Sequence, residues 1–479
     1  MKQAEKYDVL VLGSGTGGKV AGWTFAKEGK RTAVVERKLI GGSCPNIACL
    51  PSKNVIHSAK VASLAQRHRE FGIETGPIAV EMAGVYARKR KMVDEIVQVH
   101  LQQYRESGAE LIFGDGKFVA PRTLQVALRD GGERVLTADR VFVNIGTRAA
   151  IPGIPGLRES KPMTHVEFLD LQRLPEHLIV LGGGYVGVEL SQAMRRFGSR
   201  VTLVARGRQL LPREDADFAQ AILELFQDEG IDVLLNTAVL KVDGTSGERV
   251  TLQLQNERGT KTIEGSDILA ALGRTPNTSG IGLEKAGIEV DANGHIRVND
   301  RLEATAPNVW AIGECAGSPY FTHVSEDDFN LIHANLNGGK RSTRDRLIPY
   351  CVFTDPPFAR VGLSESQARE NDIAYRVATL PMDGVWKPWT LSEMRGFMKT
   401  IVDGHADRIL GFAAFGPAAG ELMATVQVAM LAGQPYTILR DAVFTHPTMT
   451  EGLKYLFARV SPLSTTDLEH LDYARTAAH

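Results

Sequence analysis

One local grammar occurs twice in the 479-residue chain and leaves few folds open to it. Residues Tyr7 to Leu12 (YDVLVL) read as a buried strand. The turn Gly13-Ser14-Gly15-Thr16-Gly17-Gly18 follows, then a helical stretch to about Gly29 and a second strand, Arg31 to Val35, ending at Glu36. The pattern returns as a strand at Leu178 to Leu181, a turn at Gly182-Gly183-Gly184-Tyr185-Val186-Gly187, a helix over Val188 to Phe197 and a strand at Val201 to Val204. In such a βαβ unit the small turn residues let the backbone approach a pyrophosphate, and the N–H groups and positive dipole end of the helix receive it. Two units predict an α/β chain with two Rossmann-like dinucleotide-binding domains. At about 150 residues per domain the length suggests roughly three domains in all. Ile151-Pro152-Gly153-Ile154-Pro155-Gly156 is turn-rich and reads as the link between the two units. Leu269 to Pro276 reads as the exit from the second. After about Pro349 these signatures stop and a mixed α/β region follows.

The two turns predict different ligands. Glu36 lies 36 − 18 = 18 residues after Gly18, where an acid binds the adenosine ribose hydroxyls. The first site therefore suits a dinucleotide with a free 2′-hydroxyl, FAD or NAD. The same offset from Gly187, 187 + 18 = 205, falls on Ala205, with Arg206 and Arg208 just after it. Arginine neutralises a 2′-phosphate that an acid would repel, so the second ligand reads as NADPH. Two solvated surface arginines are the plainer alternative, which leaves the missing acid unexplained.

Charge and composition exclude other classes. Lys and Arg number 55 against 56 Asp and Glu, a net charge of −1, unlike the basic balance of a nucleic-acid binder. No apolar run approaches the ~18–20 residues of a membrane span. Met1 to Tyr7 is polar and lacks a signal peptide's apolar stretch. Four cysteines are too few for a stapled secreted scaffold, so a reducing cytoplasm is the expected setting.

Two of those cysteines lie in Gly41-Gly42-Ser43-Cys44-Pro45-Asn46-Ile47-Ala48-Cys49-Leu50-Pro51-Ser52-Lys53. In a regular helix a five-residue separation is a rise of about 7.5 Å, beyond the usual disulfide span. A bond between them needs an irregular turn, for which Pro45 is the expected cause. Taken alone, the pair is open to two readings, inert buried thiols or a reactive couple. The spacing is not that of zinc, and no metal site is expected. Cys315 and Cys351 read as packing residues.

With these segments go Ala311-Ile312-Gly313-Glu314 and His446-Pro447-Thr448-Met449-Thr450-Glu451. In this order the motifs resemble those of the flavoprotein (pyridine nucleotide) disulfide oxidoreductases of class I, the family of glutathione reductase, dihydrolipoamide dehydrogenase and mercuric reductase. The resemblance covers nearly the whole chain. Phe321-Thr322, Asp327-Asp328, the run Gly339 to Arg346 and Pro349-Tyr350 bring it nearest to mercuric-reductase-like and RclA-like members. It implies an FAD domain at 1–150 and 278–347, an NADPH domain at 151–277 and an α+β dimerisation domain at 348–479. It implies that electrons pass from NADPH through FAD to a Cys44–Cys49 disulfide. Cys49 would then be the thiolate nearest the flavin and Cys44 the interchange thiol. Lys53 and Glu189 match the ion pair beside the flavin, and Tyr185 matches the residue that covers the nicotinamide pocket. His446 matches the catalytic base and Glu451 the carboxylate that orients it. In the family this pair comes from the partner subunit, so a homodimer sharing its active sites is implied. The resemblance assigns cofactor contacts to Gly13, Gly15, Gly18, Glu36, Gly42, Ser43, Lys53, Gly146, Gly313 and Glu314. To these it adds Gly182, Gly184, Tyr185, Gly187, Arg206, Arg208 and Gly273.

Some positions depart from the family pattern. Ala48 replaces a usual glycine, Pro45 an aliphatic residue, and Glu314 the usual aspartate at the flavin's ribityl chain. No cysteine follows Cys351, whereas mercury enzymes carry a C-terminal pair. The expected function is an NADPH-dependent reductase of a thiol-reactive oxidant, a metal ion (Hg(II) or Cu(II)) or a small disulfide. The alternatives are an NAD-linked dihydrolipoamide dehydrogenase and a flavin-binding scaffold with vestigial chemistry. Phe321, Trp386 and Trp389 are expected to pack in the core rather than line a cleft.

Overall fold

Strand Glu5–Leu12 is the centre of the first half of a computed structural model that describes residues 4–463. The end of the expected 348–479 region, from 464 on, lies outside the described residues. The nearly continuous burial of YDVLVL, only Asp8 excepted, seats the strand in the interior of a parallel sheet. Thr32–Glu36 flanks it on one side, with Leu10 opposite Ala33, and Glu133–Val143 on the other, with Leu10 opposite Val141. Val309–Ala311 extends the sheet beyond Glu133–Val143. Three long strands, Glu110–Ala120, Thr123–Leu128 and Glu133–Val143, add an antiparallel meander. Leu10, Leu124, Val141 and Ala311 are fully buried in the sheet's core.

The first helix runs Thr16–Lys27, so it begins inside the glycine turn. The second unit repeats this. Strands His177–Leu181, Arg200–Val204 and Asp267–Ala270 are parallel neighbours, with Asp267 opposite Leu178 and His177 opposite Arg200. Its helix is Tyr185–Phe197, three residues longer at its start than the sequence pattern implied. The reason is that Gly184 O already accepts from Val188 N at 3.0 Å.

Contacts divide the chain into two compact units. The first holds residues 4–182, 193–204 and 237–346; the second holds 183–192, 205–236 and 347–463. In the second, five antiparallel strands lie in the order Tyr350–Val352, Phe358–Gly362, Ile409–Phe415, Phe397–Asp403 and Tyr375–Pro381. Helices Ala419–Leu431 and Glu451–Phe457 supply Leu422, Val426, Leu453 and Phe457 to its core. Trp386 and Trp389 do not pack there, which corrects the sequence reading. They are 58% and 55% exposed, on the short helix Trp386–Leu391. Among the described residues no helix is long and apolar enough to cross a membrane.

Candidate active site

The first glycine turn is a close backbone cradle. Gly13 sits at φ +94°, and a Cβ there would lie 2.3 Å from the Asn144 carbonyl oxygen. Gly18 N donates to Asn144 Oδ1 at 3.0 Å, and the same atom would meet a Cβ on Gly15. Gly42, at φ +73°, would place a Cβ 2.6 Å from Gly15 Cα. The cysteine-bearing loop is thus pressed, backbone to backbone, onto the nucleotide turn. Ser43 opens the helix that follows. Gly313 packs against Ser325 and Asn144, and open space faces Gly146.

Glu36 is buried at the end of its strand. Its Oε2 accepts from Ser14 N (2.9 Å) and Ser14 Oγ (2.7 Å), and Oε1 from Lys38 N (2.7 Å) and Leu39 N (2.9 Å). The carboxylate is fixed beside the turn, and the set fits an adenine dinucleotide. Glu314 Oε2 accepts from Thr147 Oγ1 and, at 3.0 Å, from Arg274 Nε. The extra methylene relative to aspartate lets this carboxylate reach the strand pair Thr147–Ala149 and Arg274–Pro276.

The cysteine segment does contain an irregular turn, but Pro45 is not its cause. Pro45 lies in the first turn of helix Ser43–Ile47, where a missing N–H breaks no helical bond. The break is at Ala48 (φ −137°, ψ −104°), which ends that helix and caps the next, Cys49–Gln66, its O accepting from Ser52 N at 2.9 Å. The two thiols lie within hydrogen-bonding reach of each other. Thr322 Oγ1, at the start of helix Thr322–Leu336, lies 3.2 Å from Cys49 Sγ. The bond with Cys49 and burial push the Cys44 thiol up, while Thr322 and Lys19 pull it down. Lys53 is half-buried on the same helix as Cys49. Cys315 is wholly buried in the sheet core, and burial pushes its thiol up to about 11. Cys351 is half-buried and packs against Gly420.

At the second turn, a Cβ on Gly182 would meet the Ala271 carbonyl at 2.3 Å, while open space faces Gly184 and Gly273. Gly187 is buried one turn into the helix. Ala205 is buried just after strand Arg200–Val204, and Arg206 and Arg208 are exposed beyond it. Tyr185 Oη donates to Glu214 Oε1 at 3.0 Å and its ring stacks on Tyr350 at 5.8 Å. Tyr350 Oη reaches both Glu214 oxygens at 2.8 Å, and Arg360 Nε lies 3.0 Å from Oε2. Burial and the Glu214 charge push both tyrosine hydroxyls up, so both stay protonated donors. Glu189, also buried, accepts from Phe353 N at 2.9 Å.

His446 Nδ1 lies 3.0 Å from Glu451 Oε2. The imidazole is 64% exposed while the carboxylate is buried, so a buried acid holds an imidazole that faces outward. Glu451 is itself placed by helix Glu451–Phe457, with its N donating to Thr448 Oγ1 at 3.3 Å.

Residues 7–328 match the pyridine nucleotide-disulphide oxidoreductase family and residues 348–457 that family's dimerisation domain. The chain belongs to this family. It is similar to the probable pyridine nucleotide-disulfide oxidoreductase RclA of Escherichia coli K12, 35% identical over 95% of this chain and 99% of that protein. It is also similar to a mercuric reductase of Acidithiobacillus ferrooxidans, 34% identical over 94% of this chain and 82% of that one. Its fold matches a solved Cu(II) complex of the HOCl-induced flavoprotein disulfide reductase RclA from Escherichia coli. That match has a TM-score of 0.86 and 34% identity over 95% of this chain and 99% of that one. The family is one of FAD enzymes that use a pyridine nucleotide and a redox cysteine pair. Of the residues named from sequence, the structure brings together Gly13, Gly15, Gly18 and Gly42, Cys44 with Cys49, and His446 with Glu451. The motif reading missed Asn144, Glu214, Arg360 and the placement of Thr322 at Cys49. Thr322 and Tyr350 stood in segments that pointed to the mercuric-reductase-like and RclA-like members, and that was the signal available.

Proposed function

We propose that this oxidoreductase is an NADPH-dependent FAD enzyme that reduces a thiol-reactive oxidant, a soft metal ion such as Hg(II) or Cu(II), or a small disulfide through Cys44 and Cys49. The observation that carries this reading is the cysteine pair itself, two adjacent thiols with Thr322 Oγ1 at 3.2 Å from Cys49. Bound FAD supplies a two-electron relay between the nicotinamide and these cysteines. The chain's own groups do the rest. The Gly13–Gly18 turn, Glu36 and the Gly42-Ser43 loop would hold the dinucleotide, and Lys53 and Glu189 would each supply a charge to the flavin. Cys44 attacks the electrophilic sulfur or takes the metal ion, and Cys49 closes the disulfide as the pair's two electrons pass to the sulfur acceptor, to one Hg(II) or to two Cu(II) ions, and the reduced product leaves. His446, oriented by Glu451, moves the proton at Cys44 Sγ; its outward exposure suits service to a second copy.

Tyr185 covers the nicotinamide site and swings aside for it. Arg206 and Arg208, exposed just beyond Ala205, favour the 2′-phosphate of NADPH. In this reading 1–150 with 278–347 bind FAD, 151–277 bind NADPH and 348–479 pair two copies. The metal and oxidant classes draw support from a mercuric reductase and an HOCl-induced, Cu(II)-bound RclA among the relatives.

The test is anaerobic NADPH and NADH oxidation with Hg(II), Cu(II), hypothiocyanous acid, glutathione disulfide and lipoamide, each with a Cys44→Ser control. NADPH-selective turnover of a metal ion or the oxidant, lost in the variant, supports the proposal. NAD-linked lipoamide turnover makes the protein a dihydrolipoamide dehydrogenase instead. No turnover with any acceptor leaves a flavin-binding scaffold.

A further inference from the structure

Tyr350 is the pivot of the cluster around Tyr185. Strands Tyr350–Val352 and Phe358–Gly362 pair antiparallel with Tyr350 opposite Arg360, so the two side chains rise from the same face of the sheet. Arg360 is fixed by its neighbours, its Nη1 donating to Gln367 Oε1 at 2.8 Å and to Gly362 O at 3.3 Å. Its Nε donates to Tyr350 Oη at 2.6 Å. The Tyr350 hydroxyl therefore accepts from the guanidinium and keeps its own proton to give. It lies 2.8 Å from Glu214 Oε1 and 2.8 Å from Glu214 Oε2.

One proton serves one oxygen at a time. The Glu214 side chain is wholly buried, and a buried carboxylate oxygen left without a donor is costly. Among the described residues, Oε1 has two donors in reach, Tyr185 Oη at 3.0 Å and Tyr350 Oη, while Oε2 has Tyr350 Oη and, at 3.0 Å, Arg360 Nε. With Tyr185 in place, its hydroxyl serves Oε1, and Tyr350 and Arg360 share Oε2. With Tyr185 turned away, Tyr350 needs only to rotate its O–H to serve Oε1, and Arg360 keeps Oε2. The carboxylate is satisfied in both arrangements.

We propose that Tyr350 is a positioning residue that takes over from Tyr185 at Glu214, and that this exchange of donors lets the Tyr185 cover open without stranding a buried charge. The arrangement differs from a simple latch. The Tyr185 hydroxyl favours the closed cover, and the Tyr350 hydroxyl favours the open one. Removing the two hydroxyls therefore acts in opposite directions on coenzyme binding. The inference rests on the proposed role of Tyr185 as cover of the nicotinamide site, and the experiment separates the two.

Binding of NADP+ and of its adenosine half, 2′,5′-ADP, to the oxidised holoenzyme is measured by calorimetry. The wild-type chain, Tyr350→Phe, Tyr185→Phe, the double variant and Tyr185→Ala are compared at equal flavin content. Without the Tyr350 hydroxyl, opening leaves Glu214 Oε1 bare, so Tyr350→Phe should bind NADP+ about tenfold more weakly. Tyr185→Phe should bind it more tightly, because no bond to Glu214 has to break. On that background Tyr350→Phe should have no further effect, since Oε1 then has the same donors with the cover open or closed. The affinity for 2′,5′-ADP, which lacks the nicotinamide, should hold in every variant. An NADP+ affinity of Tyr350→Phe at or above that of the wild type overturns the proposal. So does an equal weakening of 2′,5′-ADP, or a weakening that persists on the Tyr185→Phe background, since either marks a general loss of structure. If Tyr185→Ala binds NADP+ as the wild type does, Tyr185 is not the cover and the reading beneath the proposal fails. If NAD+ binds and NADP+ does not, the coenzyme preference fails, and the same comparison with NAD+ and ADP decides the exchange.

Discussion

Thr322 joins the cysteine chemistry through a single oxygen. Its hydroxyl lies 3.2 Å from Cys49 Sγ, and a hydroxyl donor to a thiolate stabilises the charged form. Thr322→Val keeps the shape and removes the donor. A hydrogen bond of this kind contributes about 1 kcal/mol net, so the titration of Cys49 should rise by about half to one unit. Alkylation of Cys49 across pH measures it, and an unchanged profile would show that the hydroxyl has no influence on the thiol. Sequence pattern alone could not supply this contact, because Thr322 and Cys49 are 273 positions apart. The Glu36 carboxylate, by contrast, was legible from a fixed offset within one βαβ unit.

At the scale of elements, what the residue types alone mislead about is instructive. Proline attracted the expectation of a break, yet Pro45 is harmless in a first turn and the helices part at Ala48, a residue with no breaking signature. The glycine turns located the nucleotide units correctly because they are local devices. The supports around Tyr185 were invisible because Glu214 precedes one helix while Tyr350 and Arg360 lie on two strands. That support has a consequence for coenzyme binding. On the proposed role of Tyr185 as cover of the nicotinamide site, a hydrogen bond to a charged acceptor contributes roughly 2 kcal/mol, so Tyr185→Phe should loosen it and lower KM for the pyridine nucleotide by up to about tenfold at similar kcat. Steady-state kinetics decide it, and a raised KM would mean that the hydroxyl binds the coenzyme instead.

A second tie is the cluster of Lys399 with Asp215, Asp217 and Glu365, at 2.8, 2.7 and 3.2 Å. Burial alone would raise Asp215, but Lys399 and Ser366 outweigh it and hold the carboxyl at about 2, below its ordinary 3.8. A depressed acid gives stability that is present above pH 3.8 and lost as pH falls toward 2, here about 2 kcal/mol. Lys399→Met should therefore lower Tm clearly at pH 7 and hardly at all near pH 2. Thermal melts across that range test it, and a pH-independent loss would assign the effect to packing.

For the whole molecule, the unpaired features of the second unit bear on assembly. Val428 and Leu431 are each 66% exposed and Val443 is 99% exposed, in the region that matches the dimerisation domain. Apolar side chains left open in this way on a single chain mark a surface for association. His446 faces outward from the same region while its orienting acid is buried. Such an outward-facing imidazole is available to a site on a second chain, which is the role proposed for it. The distinction can be measured with two inactive variants, Cys44→Ser and His446→Ala, carrying different affinity tags and purified as the mixed dimer. If each site takes its cysteines from one chain and its histidine from the other, one of the two sites in the mixed dimer is intact and the other lacks both groups. Activity per dimer should then return to about half of wild type, by the two-fold symmetry of such an interface. If cysteines and histidine act within one chain, each site of the mixed dimer lacks one group and the activity stays at the level of the parent variants. Leu431→Asp, which charges the exposed face, should abolish both dimer formation and turnover in the first case, as read by light scattering alongside the assay. In the second case it yields an active single chain.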